Sequence, residues 1–559
     1  MNNQTVWDKT NIGENYPGIT LPLTYSFIRL AYSKVYPNFL KIIGLSDKNI
    51  KEHDYVFENM LGYINGEIFY NINNWYELIK LIPGYKYNKK FFENMLEPVE
   101  KKPLEPVSRS YKDIFSLIYN LSVLWGFIKS IIFIGPYYKK FDSGFNKGIA
   151  YYTKLNLRNL NNHKLTQELA DIEYNFFSLW GYTIINDFRV MVFFGLFTCF
   201  IKKEFSASQD FIAKHIYGIN SKPESVMLLT DLIEISIKVK KNGHVSISWN
   251  GLKEQDLEIY NLVVKYLDNY GERSFNELKL EESSFMDSPD HLISLINYYS
   301  TIPLADLNRY TSASTEDRLP IDNLADKLSF FKKIIYNLLY GITITSIHKR
   351  EEYRLKRAKV FKIANDFFKE MAVRLFKEKL IVKQRDIYYL YKSEVLDTLK
   401  NHRLEEDMGA LISRRMKKLR DYENRRLPRR VITSSIYTIK DDKYKKTNTL
   451  EKKGIVTSYG NINGGVILLM PRLNFNSDVK DKILVTHATD PGWTVLFPSL
   501  KGIVIEVGGL LSHASIVARE LGIPCIVLPN ALNLLKNGEI INMNSSTGII
   551  EIVKHENIK

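Results

Sequence analysis

Apolar residues recur at three- and four-residue intervals over most of the chain as far as Met408. Beyond that point they gather in short unbroken runs. The first pattern predicts helices with one buried face, the second short buried strands. The longest helical stretch runs from Leu324 to Leu380. Leu328, Phe331, Ile335, Leu338, Leu339 and Ile342 form one stripe, and Val360, Ile363, Ala364, Phe367, Phe368 and Met371 form another. Lys349–Arg357 lies between them, its opposite charges at helical spacing predicting an exposed face laced with weak ion pairs. From Ile233 to Trp249 the period changes to two. Ile233, Ile235, Ile237 and Val239 alternate with polar residues, Asn242-Gly243 follows, and Val245, Ile247 and Trp249 alternate again, which predicts a β-hairpin over 233–249. The prolines and glycines of Asn11–Ser26 predict an ordered loop with no regular element before Leu23. A helix capped near Thr24 or Ser26 should follow.

Past Met408 the chain is basic, through Arg414-Arg415-Met416-Lys417-Lys418 and Arg425–Arg430. Pro428 stops the helix, and Thr433–Thr449 is polar and Lys-rich without an apolar period. The predicted organisation is a mainly helical region at 1–427, a linker at 428–450 and a compact β/α domain at 451–559, a multidomain α+β fold.

One stretch of the last domain carries a chemical possibility. The apolar run Gly502–Val507 reads as a buried strand, Gly508-Gly509 turn the chain, and an amphipathic helix starts at Ser512 or His513. Glycines let backbone come close to a bound group, and the first N–H groups of a helix have no intrahelical partner. That is a cradle for an anion, and a histidine beside it can be phosphorylated while amides and helix dipole neutralise the phosphoryl oxygens. The bland reading makes Ser512 an N-cap and His513 a packed first-turn residue. Elsewhere, Glu272, Arg273, Asn276 and Glu277 stand close together. They suit either a polar substrate, Arg273 meeting a carboxylate or phosphate, or a structural Arg–Glu pair holding a loop.

Composition narrows the options. The chain has 559 residues, of which 45% are hydrophobic, enough for several domains with real cores. A net charge of +15 favours nucleotides or acidic partners, but the basic residues are dispersed with no aromatic-basic motif, so no nucleic acid is expected. Cys199 and Cys525 alone give no disulfide framework and no zinc cluster, and no metal ligands are assigned. The start lacks a signal peptide's order, which places the protein in the cytoplasm. The apolar runs Leu121–Ile134 and Val190–Ile201 fall short of the roughly 20 residues that cross a bilayer. Both are expected to be buried core helices, with no membrane partner.

The run from Gly508-Gly509 through Ser512-His513, Ile516-Val517-Ala518-Arg519-Glu520 and Gly522-Ile523-Pro524 resembles the phosphohistidine signature of the mobile, swivelling domain of phosphoenolpyruvate (PEP)-utilising enzymes. Ile483–Trp493 is similar to the segment that precedes the signature. Asn11–Ser26, Tyr270–Leu280 with Asp287–Asp290, and Arg385–Leu390 resemble blocks of the middle, substrate-binding region of rifampicin phosphotransferase-like and PEP synthase-like proteins. The resemblance is close from Gly454 to Val527 and thin between Tyr32 and Asp268. It implies a phosphotransferase in which His513 carries the phosphoryl group, Gly508, Gly509 and Ser512 cradle it, and Glu272, Arg273, Asn276 and Glu277 contact the substrate. Arg519, two turns beyond His513, is expected to pack rather than react. Neither the ATP-grasp domain nor the PEP-binding barrel of such enzymes is recognisable here. The resemblance therefore implies a split enzyme with a separate ATP-grasp partner, which would bind most of the ATP and Mg2+, and a small-molecule acceptor on this chain. The alternative is a non-catalytic interaction or regulatory protein that keeps the fold. The carrier reading requires an imidazole with an open approach and unpaired amides beside it.

Overall fold

A computed structural model describes residues 4–10, 12–82, 114–206, 212, 224–274, 276–312, 324–401, 407–423, 427–433, 451–468, 479–489, 491–509 and 512–555. The chain divides into two units. The first comprises Met1–Met191, Lys279–Glu281 and Lys359–Tyr444, and the second Val192–Leu278, Glu282–Ala358 and Lys445–Lys559.

In the first unit a small antiparallel sheet has the order β2-β3-β1-β4, from β1 (Thr5–Asp8), β2 (Leu61–Ile64), β3 (Glu67–Asn71) and β4 (Arg430–Thr433). Asn65 and Gly66 join β2 to β3 with φ of 47° and 79°, the tight two-residue turn that suits a hairpin's twist. Thus β4 takes up residues 430–433 of the expected linker, and 434–450 lie outside the described residues. The opening segment is more regular than expected, because Ile12–Asn15 form one helical turn. Helix α1 (Pro22–Ile42) starts on Pro22, whose missing N–H is no loss at a helix start. Neither Thr24 nor Ser26 is its cap. Instead the Thr24 hydroxyl donates to Glu281 Oε2 (2.5 Å) and accepts from the Leu280 amide (2.8 Å).

Helices α2 (Ile114–Ile132), α3 (Gly135–Tyr152) and α4 (Asn162–Phe205) follow. The Arg189 guanidinium of α4 donates to the carbonyls of Ile131 and Ile132, which close the end of α2. The expectation that both apolar runs are buried core helices holds on one face only. Val123, Phe127 and Ile131 are buried, but Leu121, Trp125, Ile128, Ile132 and Phe133 are exposed, as are Val192 and Leu196. By length and composition α4 is apolar enough to cross a membrane, with about a third of its most apolar window buried.

The second unit contains α5 (Glu224–Lys241), α6 (Leu257–Tyr270), α7 (Pro289–Thr301), the first part of α8 (Phe330–Lys377), and the β/α domain. The expected hairpin at 233–249 is not formed. Leu228, Leu229, Leu232, Ile233, Ser236 and Val239 make a buried stripe at three- and four-residue spacing, so α5 continues to Lys241. Asn242-Gly243 then ends it. Gly243 has a φ of 79°, and the amides of Asn242, Gly243 and His244 reach back to the carbonyls of Lys238, Lys240 and Val239, a helix stop rather than a strand turn. On α8 the second apolar stripe is buried, but Phe331, Ile335 and Leu338 of the first are exposed and Tyr336 turns inward instead. Lys349–Arg357 is likewise not an exposed face. Tyr353 and Leu355 are buried, Lys349 and Lys356 both pair with Glu352, and both ammoniums lie 5.5 Å from the Tyr353 ring.

The C-terminal sheet has the order β5-β12-β11-β7-β8-β9-β10-β6. Its strands are β5 (Glu451–Lys453), β6 (Ile455–Ser458), β7 (Asn461–Leu468), β8 (Ile483–Thr486), β9 (Gly502–Ile505), β10 (Cys525–Val527), β11 (Glu539–Asn544) and β12 (Ile549–His555). From β7 through β10 the strands are parallel, and β8, β9 and β10 are wholly buried, as their unbroken apolar runs require. One face packs on a core of its own around Val466, Val504, Ile526 and Ile541. On the other, Leu484, Trp493, Val495, Phe497 and Val517 share a single hydrophobic core with Leu232, Ile259, Leu292 and Ile296 of α5, α6 and α7.

Candidate functional site

The site is built where β9 gives way to helix α9 (His513–Glu520). Gly508 has a φ of 151°. A Cβ there would lie 2.8 Å from Ile505 Cδ1 and 2.9 Å from Ser512 Oγ, so only glycine brings the chain round. At Gly509 a Cβ would meet nothing within 4 Å, which marks open space beside the turn. The Ser512 amide donates to the Gly509 carbonyl (3.0 Å), and Ser512 stands at the N-cap in extended conformation. Its hydroxyl makes no capping hydrogen bond. It pairs instead with Ser515 Oγ at 2.8 Å. Gly508, Gly509 and Ser512 are half-buried and line the start of α9, so the cradle residues do come together.

His513 is the first residue of α9, and only 1% of it is exposed. Its Nε2 lies 2.9 Å from Thr494 Oγ1, in the 3-10 turn Pro491–Ser499 that follows β8. Burial drives its pKa well below the usual imidazole value, and the positive charges of Arg354 and then Arg273 push it further down. The ring is therefore neutral at pH 7, as a nucleophilic imidazole must be. The open approach that a carrier requires is not seen around the ring in this arrangement.

The loop after α6 supplies one of those charges. Arg273 donates through Nη1 to Glu277 Oε2 at 3.0 Å, each side chain being 2% exposed, while its backbone accepts from the Phe285 amide (2.9 Å). Asn276 is fully buried with a φ of 60°, a left-handed conformation that asparagine tolerates better than most residues. Glu272 is half-buried on the same turn. The structure thus contains the Arg–Glu pair of the structural reading, and the Arg273 charge is also one of those that lower the His513 pKa. Close by, the Tyr270 hydroxyl donates to Asp231 Oδ2 (2.9 Å), and Tyr266, buried among Tyr270, Asp231, Arg273 and Tyr299, has its hydroxyl pKa raised mainly by that burial. The Tyr299 hydroxyl donates to the Val495 carbonyl, one residue beyond Thr494.

Sequence reasoning missed Thr494, Arg354, Tyr266 and Asp231. Thr494 adjoins the Ile483–Trp493 block, so position alone pointed near it. Arg354 was hidden in a charge run that reads as solvated. Arg519 does pack, its Nε donating to the Thr457 carbonyl on β6 at 3.0 Å. Among the described residues no three His, Cys, Asp or Glu side chains gather as metal ligands, and Glu277 is engaged by Arg273, so these residues do not fit a Mg2+ site. A neutral imidazole with the charges of buried Arg273 and half-buried Arg354 acting on it suits the chemistry of a transferable anion.

Residues 479–548 match the family described as PEP-utilising enzyme, mobile domain. The rifampicin phosphotransferase of Bacillus cereus is 30% identical over 303 residues, covering 52% of this chain and 34% of that protein. That of Bacillus subtilis is 32% identical over 306 residues, with the same two shares. The uncharacterised phosphotransferase YvkC of Bacillus subtilis is 24% identical over 366 residues, covering 61% of this chain and 43% of its own. The chain therefore spans about a third of the length of the two rifampicin phosphotransferases it matches. A glycine turn and a helix opening on His513 thus stand inside residues 479–548, the part of the chain that matches the mobile domain of PEP-utilising enzymes.

Proposed function

We propose that this chain is the carrier and acceptor part of a phosphotransferase, moving a phosphoryl group on His513 from a nucleotide site on an ATP-grasp partner to a small molecule. The observation that carries this is His513 itself, the first residue of α9 behind the Gly508-Gly509 turn and within the residues that match the mobile domain. In the first step an imidazole nitrogen bonds to phosphorus as a P–O bond of the nucleotide breaks. In the second an acceptor oxygen displaces the imidazole and its proton leaves to solvent or a nearby base, so one hard transfer becomes two in-line steps. The phosphoryl group would come from ATP as its Mg2+ complex, held by residues of the partner. Gly508, Gly509 and Ser512 would hold the phosphoryl oxygens during uptake, and Arg354 and Arg273 would balance their charge at delivery. Glu272, Asn276 and Glu277 would orient the acceptor, whose class follows that of rifampicin phosphotransferase-like or PEP synthase-like enzymes. A need for ATP suits the cytoplasm.

The sealed ring supports a second reading, an interaction or regulatory protein that keeps the fold without the chemistry. One experiment separates them. Incubation with Mg2+, labelled ATP and an ATP-grasp protein of this family should give an acid-labile, base-stable label that His513→Ala abolishes. No label with a partner shown to be active on its own carrier would leave the second reading, in which His513→Ala keeps partner binding intact.

A further inference from the structure

Helices α2 and α3 carry a surface that the phosphoryl chemistry does not use. At about 100° per residue, Val123, Phe127, Ser130 and Ile131 fall on one side of α2 and are buried, while Leu121, Trp125, Ile128 and Ile132 fall within about 60° of arc on the far side and are exposed. Trp125 is 63% exposed, and Phe133, just past the helix end, 61%. A surface helix of a globular protein puts polar residues there, so a helix apolar on both sides has a second neighbour to meet.

Charge selects that neighbour. From Leu121 to Leu160 the basic residues are Lys129, Lys139, Lys140, Lys147, Lys154 and Arg158, all exposed, against the single acid Asp142. A second copy would bring the same basic stretch against itself and be repelled. A polyanionic, apolar-cored surface would be attracted, and large aromatic and aliphatic side chains among lysines are the composition of helices that lie in a bilayer's headgroup region. The axes of α2 and α3 bend by 72° between Ile132 and Gly135, and the inner face of α2 is already packed, so the geometry is that of a helix lying on a membrane rather than crossing it.

We propose that the outer face of α2, with the lysines of α3, seats this protein peripherally on an anionic lipid bilayer, contrary to the sequence expectation of no membrane partner. The full chain should sediment with phosphatidylcholine–phosphatidylglycerol vesicles, be released by high salt, and remain in the supernatant with pure phosphatidylcholine vesicles. At about fivefold per lysine, Lys129→Glu/Lys139→Glu/Lys140→Glu should weaken partitioning on the order of a hundredfold. Trp125→Ser/Ile128→Ser/Ile132→Ser should abolish it, whereas His513→Ala should leave it unchanged. These side chains are exposed, so the melting temperature should hold; if a triple variant melts early, Lys139→Glu/Lys140→Glu serves alone at about a 25-fold loss. Absence of sedimentation with anionic vesicles overturns the proposal, as does binding that ignores the lysines. A dimer in sedimentation velocity that the Trp125 set dissolves, without vesicle binding, overturns it in favour of self-association.

Discussion

Acid should loosen the packing around His513, and by an amount that can be worked out. In the folded chain burial, Arg354 and Arg273 hold the imidazole neutral far below its ordinary pKa. Once exposed, the same ring takes a proton near pH 6.5. The open state therefore binds more protons below that pH, and linkage makes the packed state less stable as pH falls. This contribution is fully present above pH 6.5, is lost at about 1.4 kcal/mol per pH unit below it, and levels off only beneath the depressed folded value. Down to the folded value the loss accumulates at that rate, so by pH 5.0 it reaches at most about 2 kcal/mol, or roughly 30-fold in the opening equilibrium. Chains of this size need not unfold in one step, so the readout is hydrogen exchange of the His513–Glu520 amides, corrected for intrinsic rates, between pH 7.5 and 5.0. His513→Gln should remove that slope. His348, whose pKa burial also lowers against the opposing pull of Glu351, is present in both proteins and cancels in the difference. Equal pH slopes for the two proteins would refute the reasoning, because they would mean that His513 is not the group being forced neutral.

Other perturbations test neighbouring parts of the site. Arg273→Met leaves the Glu277 carboxylate buried without its guanidinium and should destabilise by about 3–5 kcal/mol, while adding Glu277→Gln should restore most of that; thermal unfolding of the three proteins checks it. Gly508→Ala puts a side chain into an unfavourable φ and against Ile505 and Ser512, which should cost about 1–3 kcal/mol in urea titration and reduce labelling of His513.

The fold was readable wherever one physical cause dominated. The strands around Ile483, Ile503 and Ile526 are buried on both faces, and their unbroken apolar runs say so. Gly508-Gly509 before Ser512-His513 likewise marks a turn into a helix. The misplaced hairpin shows where the rule fails. The glycine of Asn-Gly takes positive φ in either use, and the pair closes a hairpin at Asn65-Gly66 but ends a helix at Asn242-Gly243. Alternation over so few residues could not tell these apart, because α5's true stripe runs through Leu228 and Leu229, upstream of the apparent strand. Arg354 and Thr494 were illegible for another reason. Their role lies in proximity to His513 across 159 and 19 residues of sequence, and local composition holds no trace of that.

Sealing of the His513 ring is a property of two segments together. Thr494 and α9 belong to the stretch that matches the mobile domain, but α5, α6 and α7 come from residues 224–301 and share a core with Trp493, Val495 and Phe497. A histidine that must also reach a nucleotide has to leave that core, and a partner can drive the change only by binding the open arrangement better than the closed one. Weakening the closed arrangement should then speed uptake. The Tyr299 hydroxyl offers a means, since it ties α7 to the Val495 carbonyl and lies outside the proposed phosphate cradle. Tyr299→Phe keeps the ring and removes one hydrogen bond of about 1 kcal/mol, raising the open fraction roughly fivefold. With a limiting amount of ATP-grasp partner, the initial rate of His513 labelling should rise by up to that factor while the melting temperature falls slightly. An unchanged or slower rate in a Tyr299→Phe protein that is still folded would show that opening does not limit uptake. The sealed arrangement would then have to be explained as something other than the delivery end of a carrier's travel.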